Sequence, residues 1–68
     1  MNELTFKNKI KEKREEQHLS QQKLALMVGS TRQTIIAIEK GIFSPTAKLA
    51  LLLCFALDTK FEDLFFFE

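Results

Sequence analysis

Tryptophan and tyrosine are absent from this chain, cysteine and proline occur once each, and glycine only twice. A single cysteine, Cys54, excludes an internal disulfide and a four-cysteine zinc site, and its place within an apolar run predicts a small hydrophobe of the core. The only histidine, His18, has no acidic, cysteine or second histidine partner at ligand spacing, so no metal and no cofactor is expected. No carboxylate pair, no nucleophile beside a base and no phosphate-cradling glycine loop is visible, which argues against an enzyme. The N-terminal stretch MNELTFKNK lacks the apolar core of a signal peptide. The longest apolar run, Leu49 to Leu57, is half the length a bilayer requires, so a cytoplasmic protein without membrane contact is expected.

No repeat, low-complexity tract or linker interrupts the 68 residues, which read as one small domain, 1–68. A chain this short buries only about 60% of its unfolded surface, so a partner subunit would help to stabilise it. The composition is 46% hydrophobic, and six of the seven phenylalanines lie from Phe43 onward, a globular balance. Net charge is +1 but unevenly placed: residues 1–48 hold nine Lys or Arg against five Asp or Glu, and residues 49–68 hold one against four. A basic N-terminal part suits a polyanion, with the acidic end turned away from it, although a merely solvated surface accounts for the charge equally well.

The apolar spacing predicts five helices. The first runs from about Lys7 to Gln17, with Phe6, Ile10 and Arg14 on one thin face. Ser20, followed by Gln21 and Gln22, opens the second, and Lys23 rules out a capping box. Leu24, Ala25 and Val28 fall at helical spacing, Gly29 can take the left-handed conformation that stops the helix, and Ser30 and Thr31 can cap the next. The third helix starts with Arg32, Gln33 and Thr34, while Ile35 and Ile38 point the other way. After Gly41 the loop IFSPT ends with Ser44 as cap and Pro45 as first residue of a fourth helix reaching about Leu57. Leu49, Leu53, Ala56 and Leu57 would face the second and third helices, leaving Leu52 and Phe55 outward. A single turn near Phe61 to Phe65 precedes FFFE, three consecutive aromatics that suit a strand. Alternation places Phe65 and Phe67 on one face and Phe66 on the other, with Glu3 to Lys7 as the strand partner. Such a ribbon is marginal alone and would gain by pairing with that of a second subunit.

Two short helices joined by a tight turn, the second with one buried edge and a donor-rich N-terminal end, have the form the major groove admits. The run from Ser20, S-Q-x-x-L-A-x-x-V-G-x-T-R-Q-T-I-x-x-I-E-x-G-x-x-x-P, resembles the phage Cro and repressor-like (XRE-type) DNA-binding family, and EDLF near the end resembles the last turn of its smallest members. The resemblance covers nearly the whole chain. It implies a mainly α, five-helix lambda-repressor-like domain, with the helix-turn-helix at about 20–40 and dimerisation through about 49–68. Stand-alone relatives are homodimeric repressors, some with short terminal strands that form a sheet.

Carried over by position, Arg32, Gln33 and Thr34 would open the recognition helix, and Ala37, one turn on, would be a fourth base-reading position. The chemistry agrees: Arg32 can bond guanine O6 and N7, Gln33 adenine N6 and N7, each bidentate contact giving roughly 1 to 3 kcal/mol of discrimination. Ala37 can offer only a methyl to thymine, and outward-facing Ile36 either such a contact or one to the sugar backbone. Gln21 matches a phosphate-contacting position, Thr31 would cap the recognition helix and touch phosphate, and Lys40 and Ser44 would lie near the second backbone crossing. Lys7 and Lys9 are left open. The resemblance further implies that Arg14 and Glu39 form a buried ion pair between the first and third helices.

The chain departs from the family at His18, where glycine is usual, at Ser30, where a small apolar residue is common, and at Leu52 and Phe55, where polar residues are frequent. Leu52, Phe55, Phe65, Phe66 and Phe67 are therefore expected to form a homodimer interface, unless the C-terminal strand folds back over them. A dimer would set two recognition helices about 34 Å apart on an inverted-repeat operator of double-stranded DNA. The rival reading is an adaptor or antitoxin whose fourth helix docks on another protein; Arg32 and Gln33 favour DNA. Repression and activation are not distinguished by sequence.

Overall fold

The computed structural model describes residues 4–68, and Glu3, expected in the first strand, lies outside them. Two short strands and five helices follow one another as β1 (Phe6–Asn8), α1 (Ile10–Glu16), α2 (Gln21–Met27), α3 (Arg32–Glu39), α4 (Ala47–Ala56), α5 (Phe61–Leu64) and β2 (Phe65–Phe67). The mainly helical five-helix architecture with a terminal ribbon is thus the one expected.

The first helix begins three residues later than its periodicity suggested, because Phe6, Lys7 and Asn8 are drawn into an antiparallel pairing with Phe67, Phe66 and Phe65. Thr5 and Glu68 exchange both backbone hydrogen bonds at 3.0 Å, and the Lys9 amide donates to the Leu64 carbonyl at 2.9 Å. The Phe6 ring stacks on Phe65 at 5.6 Å and leans on Phe67 at 5.1 Å, so these three share one face of the ribbon. Phe66 lies on the other face, under the Lys9 ammonium at 5.7 Å.

Hydroxyls start three of the helices: Ser20 accepts from the Lys23 amide at 3.0 Å, Thr31 from Thr34 at 3.2 Å and Thr46 from Leu49 at 3.2 Å. The last corrects the expected start of α4. Ser44 makes no capping bond; Thr46, in an extended conformation, caps instead, and Ala47 is the first helical residue. Ala50, Leu53 and Leu57 of this helix and its cap enter the core; Ala50, not expected there, is buried, and Leu49 and Ala56 are only half-buried.

The first four helices end alike. In each, the residue after the cap turns left-handed and two amides reach back to carbonyls three and five residues earlier. Gly29 (φ +68°) and Gly41 (φ +77°) do this without steric cost, whereas His18 (φ +58°) and Asp58 (φ +49°) do it with side chains. The His18 departure from the glycine usual in relatives is therefore a strained helix end. Beneath these elements one cluster joins Ile10, Leu24, Ala25, Val28, Ile35, Ile38, Ala50, Leu53, Leu57, Leu64 and Phe65.

Candidate nucleic-acid interface

Helix α3 is anchored through one edge. Ile35 and Ile38 are fully buried, which turns Arg32 and Gln33 outward at the first turn, both exposed, and leaves Thr34, Ile36 and Ala37 half-buried beside them. The Thr31 hydroxyl accepts from the Thr34 amide and donates to the Thr34 hydroxyl at 3.0 Å, so the cap fixes the Thr34 rotamer while leaving the Thr34 proton free to donate. Among the described residues neither Arg32 nor Lys40 takes part in an ion pair. Two cations at the opposite ends of α3 are therefore available to an incoming anion.

The other end of α3 is held by charge. Arg14 Nε donates to Glu39 Oε2 at 2.7 Å and Nη2 to Oε1 at 3.2 Å, while Nη1 donates to the Leu19 carbonyl at 2.9 Å. The side chains are 10% and 5% exposed, and the hydrogen bond to Glu39 raises the Arg14 pKa against the opposing effect of burial. Gln21 Nε2 donates to the same Glu39 Oε1 at 3.1 Å. The first residue of α2, the end of α1 and the last residue of α3 thus meet on one carboxylate. Gln21, expected to address phosphate, gives one donor of its side-chain amide to Glu39 and keeps the second. Thr31, Lys40 and Ser44 are exposed, Ser44 without a capping bond.

Two features escaped the sequence. Asn8 Nδ2 donates to the Ile38 carbonyl at 3.0 Å while its Oδ1 accepts from the Ile10 amide at 3.1 Å, joining β1 to both α1 and α3. An asparagine two residues before a helix was the only signal available, and it speaks for a local turn rather than a tertiary contact. Ile42 and Phe43, beyond α3, are both exposed, with their amides folded back on the Ala37 carbonyl at 3.0 and 3.2 Å.

The expected interface residues separate. Phe65 is 3% exposed, covered within its own chain by Phe6 and by Phe61, whose ring lies 5.1 Å away, and so has no face left for a partner. Leu52 is half-buried against the core, and Phe66 is half-buried. Phe55 is 82% exposed and Phe67 remains exposed. Leu51, one turn before Phe55 and 53% exposed, takes the outward place expected of Leu52, whose side chain packs against the core. Leu51, Phe55 and Phe61 border a groove of about 410 Å³ with Cys54 in its wall. Cys54 is half-buried at this margin rather than in the core, and desolvation pushes its thiol pKa up. No helix among the described residues is long and apolar enough to cross a membrane, and they contain no cluster of potential metal ligands.

The profile of the Helix-turn-helix family matches residues 10–64 of the chain. Among curated proteins it is similar to the uncharacterised HTH-type transcriptional regulator YgzD of Bacillus subtilis, 52% identical over 63 residues that span 93% of this chain and 96% of that one. An uncharacterised HTH-type transcriptional regulator of Methanocaldococcus jannaschii is 47% identical over 63 residues, again 93% and 96% of the two chains. One of Archaeoglobus fulgidus is 39% identical over 63 residues, 93% of this chain and 89% of the relative.

Proposed function

Since the chain belongs to the Helix-turn-helix family, in its Cro and repressor-like branch of DNA-binding transcriptional regulators, we propose that it is a sequence-specific repressor that binds an inverted-repeat operator as a homodimer. The observation that carries this reading is the outward pair Arg32 and Gln33 on the first turn of a helix fixed at both ends. With the helix seated in the major groove, Arg32 donates to guanine and Gln33 pairs with adenine, while Thr34 and the apolar Ile36 and Ala37 line the same groove wall. Thr31, Lys40 and Ser44 address the flanking phosphates and set the register without reading sequence. The anchoring of α3 by Glu39 means that these side chains are presented without a large ordering cost on binding.

Dimerisation is assigned to the face of Leu51, Phe55 and Phe61, continued by the exposed Phe67 at the ribbon. Exposed aromatic and aliphatic side chains in such concentration are unusual on a small monomer. Repression follows from occupancy, since a dimer covering an operator excludes other proteins from it. The same apolar face supports a second reading, an adaptor or antitoxin that docks another protein on α4.

Selection of bound duplexes from a random pool by the purified protein, at two salt concentrations, tests the proposal. Enrichment of an inverted repeat with half-sites one helical turn apart, together with a dimer by sedimentation, is expected. A folded sample that enriches no sequence would sink the DNA reading in favour of the adaptor.

A further inference from the structure

Asn8 closes β1 opposite Phe65 and makes the only hydrogen bond between that strand and α3 among the described residues. Its target, the Ile38 carbonyl, also accepts from the Gly41 amide at 3.0 Å, the bond that ends the recognition helix. The next residue, Glu39, is the one gripped by Arg14. The last turn of α3 is therefore held at two successive residues by the N-terminal part of the chain: by charge from α1 and by a neutral amide from the ribbon. Beside it lies an open groove of about 320 Å³ whose lining includes Phe6, Lys7, Asn8, Glu39 and Lys40. The strand is in turn fixed by β2 through Thr5 with Glu68 and Lys9 with Leu64.

We propose that Asn8 is a positioning residue for DNA reading, coupling the terminal β1–β2 ribbon to the recognition helix so that the aim of Arg32 and Gln33 depends on an intact ribbon. It acts through Ile38 and touches no base. The two halves of its amide have separable roles: Oδ1 serves the start of α1, and only Nδ2 serves α3. Loss of the Nδ2 bond leaves the end of α3 tied to the rest of the molecule by Glu39 and the buried Ile38 side chain, with no backbone hydrogen-bond partner from β1. The helix then samples a wider range of tilts, and a bidentate base contact is sensitive to such displacement where a phosphate contact is not. The proposal rests on the DNA-binding reading above.

Two substitutions in the full chain separate positioning from capping. In Asn8→Ser the hydroxyl can still accept from the Ile10 amide but is too short to reach Ile38; in Asn8→Ala both bonds are lost. Both variants are expected to lose about five- to ten-fold in affinity for the selected operator, the scale of one hydrogen bond, with binding to an unrelated duplex changed by less than about two-fold. In both, hydrogen exchange at the Gly41 and Ile42 amides in free protein accelerates about five- to ten-fold relative to amides of α4, whereas Asn8→Ala, which loses both bonds, lowers the melting temperature further than Asn8→Ser. Operator affinity that falls only in Asn8→Ala, in step with its melting temperature, would reduce Asn8 to a helix start and overturn the coupling. So would wild-type exchange at Gly41 and Ile42 in both variants. A wild-type protein that prefers no duplex defeats the DNA reading instead, and the exchange measurement then decides the coupling by itself.

Discussion

Arg14 and Glu39 show how little of a charged pair's effect comes from attraction alone. Three hydrogen bonds converge on the carboxylate and a fourth joins Arg14 to the Leu19 carbonyl, so removing Glu39 leaves both a buried guanidinium and the Gln21 amide without their acceptor. Glu39→Ala is expected to cost about 3 to 5 kcal/mol, seen as a melting temperature lowered by well over about 10 °C in a domain of this size; an unchanged melting curve would contradict the buried geometry. His18 presents the opposite case, a residue whose replacement should help. Its backbone sits at φ +58° to close α1, a conformation that costs an L-residue with a Cβ about 1 kcal/mol or more relative to glycine. His18→Gly should therefore raise stability in chemical denaturation by somewhat under about 1 kcal/mol, part of the gain being offset by a freer unfolded chain.

At the scale of elements, the caps explain where sequence reading succeeds and where it slips. Gly29 was legible because glycine turns left-handed without steric cost, and of the two hydroxyls offered before α3, Ser30 and Thr31, it is Thr31 that caps. Before α4 two hydroxyls compete, Ser44 and Thr46, with proline between them, and Thr46 makes the capping bond. Local pattern permits either, since a cap is extended and proline suits a first helical position. The outward place on α4 likewise belongs to Leu51 and not to Leu52, which packs against the core. Thr46→Ala should thus cost about 1 kcal/mol by thermal denaturation and Ser44→Ala only a few tenths, and the reverse order would restore the earlier helix start. The boundary of α1 slipped for a related reason: Phe6 fits the helical face of Ile10 and Arg14 by spacing, yet it is claimed by the rings of Phe65 and Phe67 from the far end of the chain. The recognition helix was readable because its buried edge, cap and reading edge lie within eight consecutive residues. Asn8 was not, because its partner at Ile38 is thirty residues away.

The whole molecule measures 39 × 21 × 20 Å and presents one recognition helix, so reading two half-sites one turn apart requires two copies. Phe55 is the most exposed large apolar side chain of the described residues, so the proposed association is tested there. Phe55→Glu is expected to sediment as a monomer with an unchanged melting profile at low concentration, and to lose more than about ten-fold in operator affinity because the two half-sites no longer bind as a linked pair. A variant that remains dimeric would place the interface elsewhere. The most direct test of base reading by α3 compares the sequence preferences of wild-type protein and Arg32→Ala, both selected from the same random duplex pool. The account predicts that the variant still binds but loses its preference for guanine at one position in each half-site, a relaxation of about 1 to 3 kcal/mol, with the remaining positions retained. An identical preference in the two proteins would show that Arg32 does not read a base and would contradict the assignment of the recognition surface.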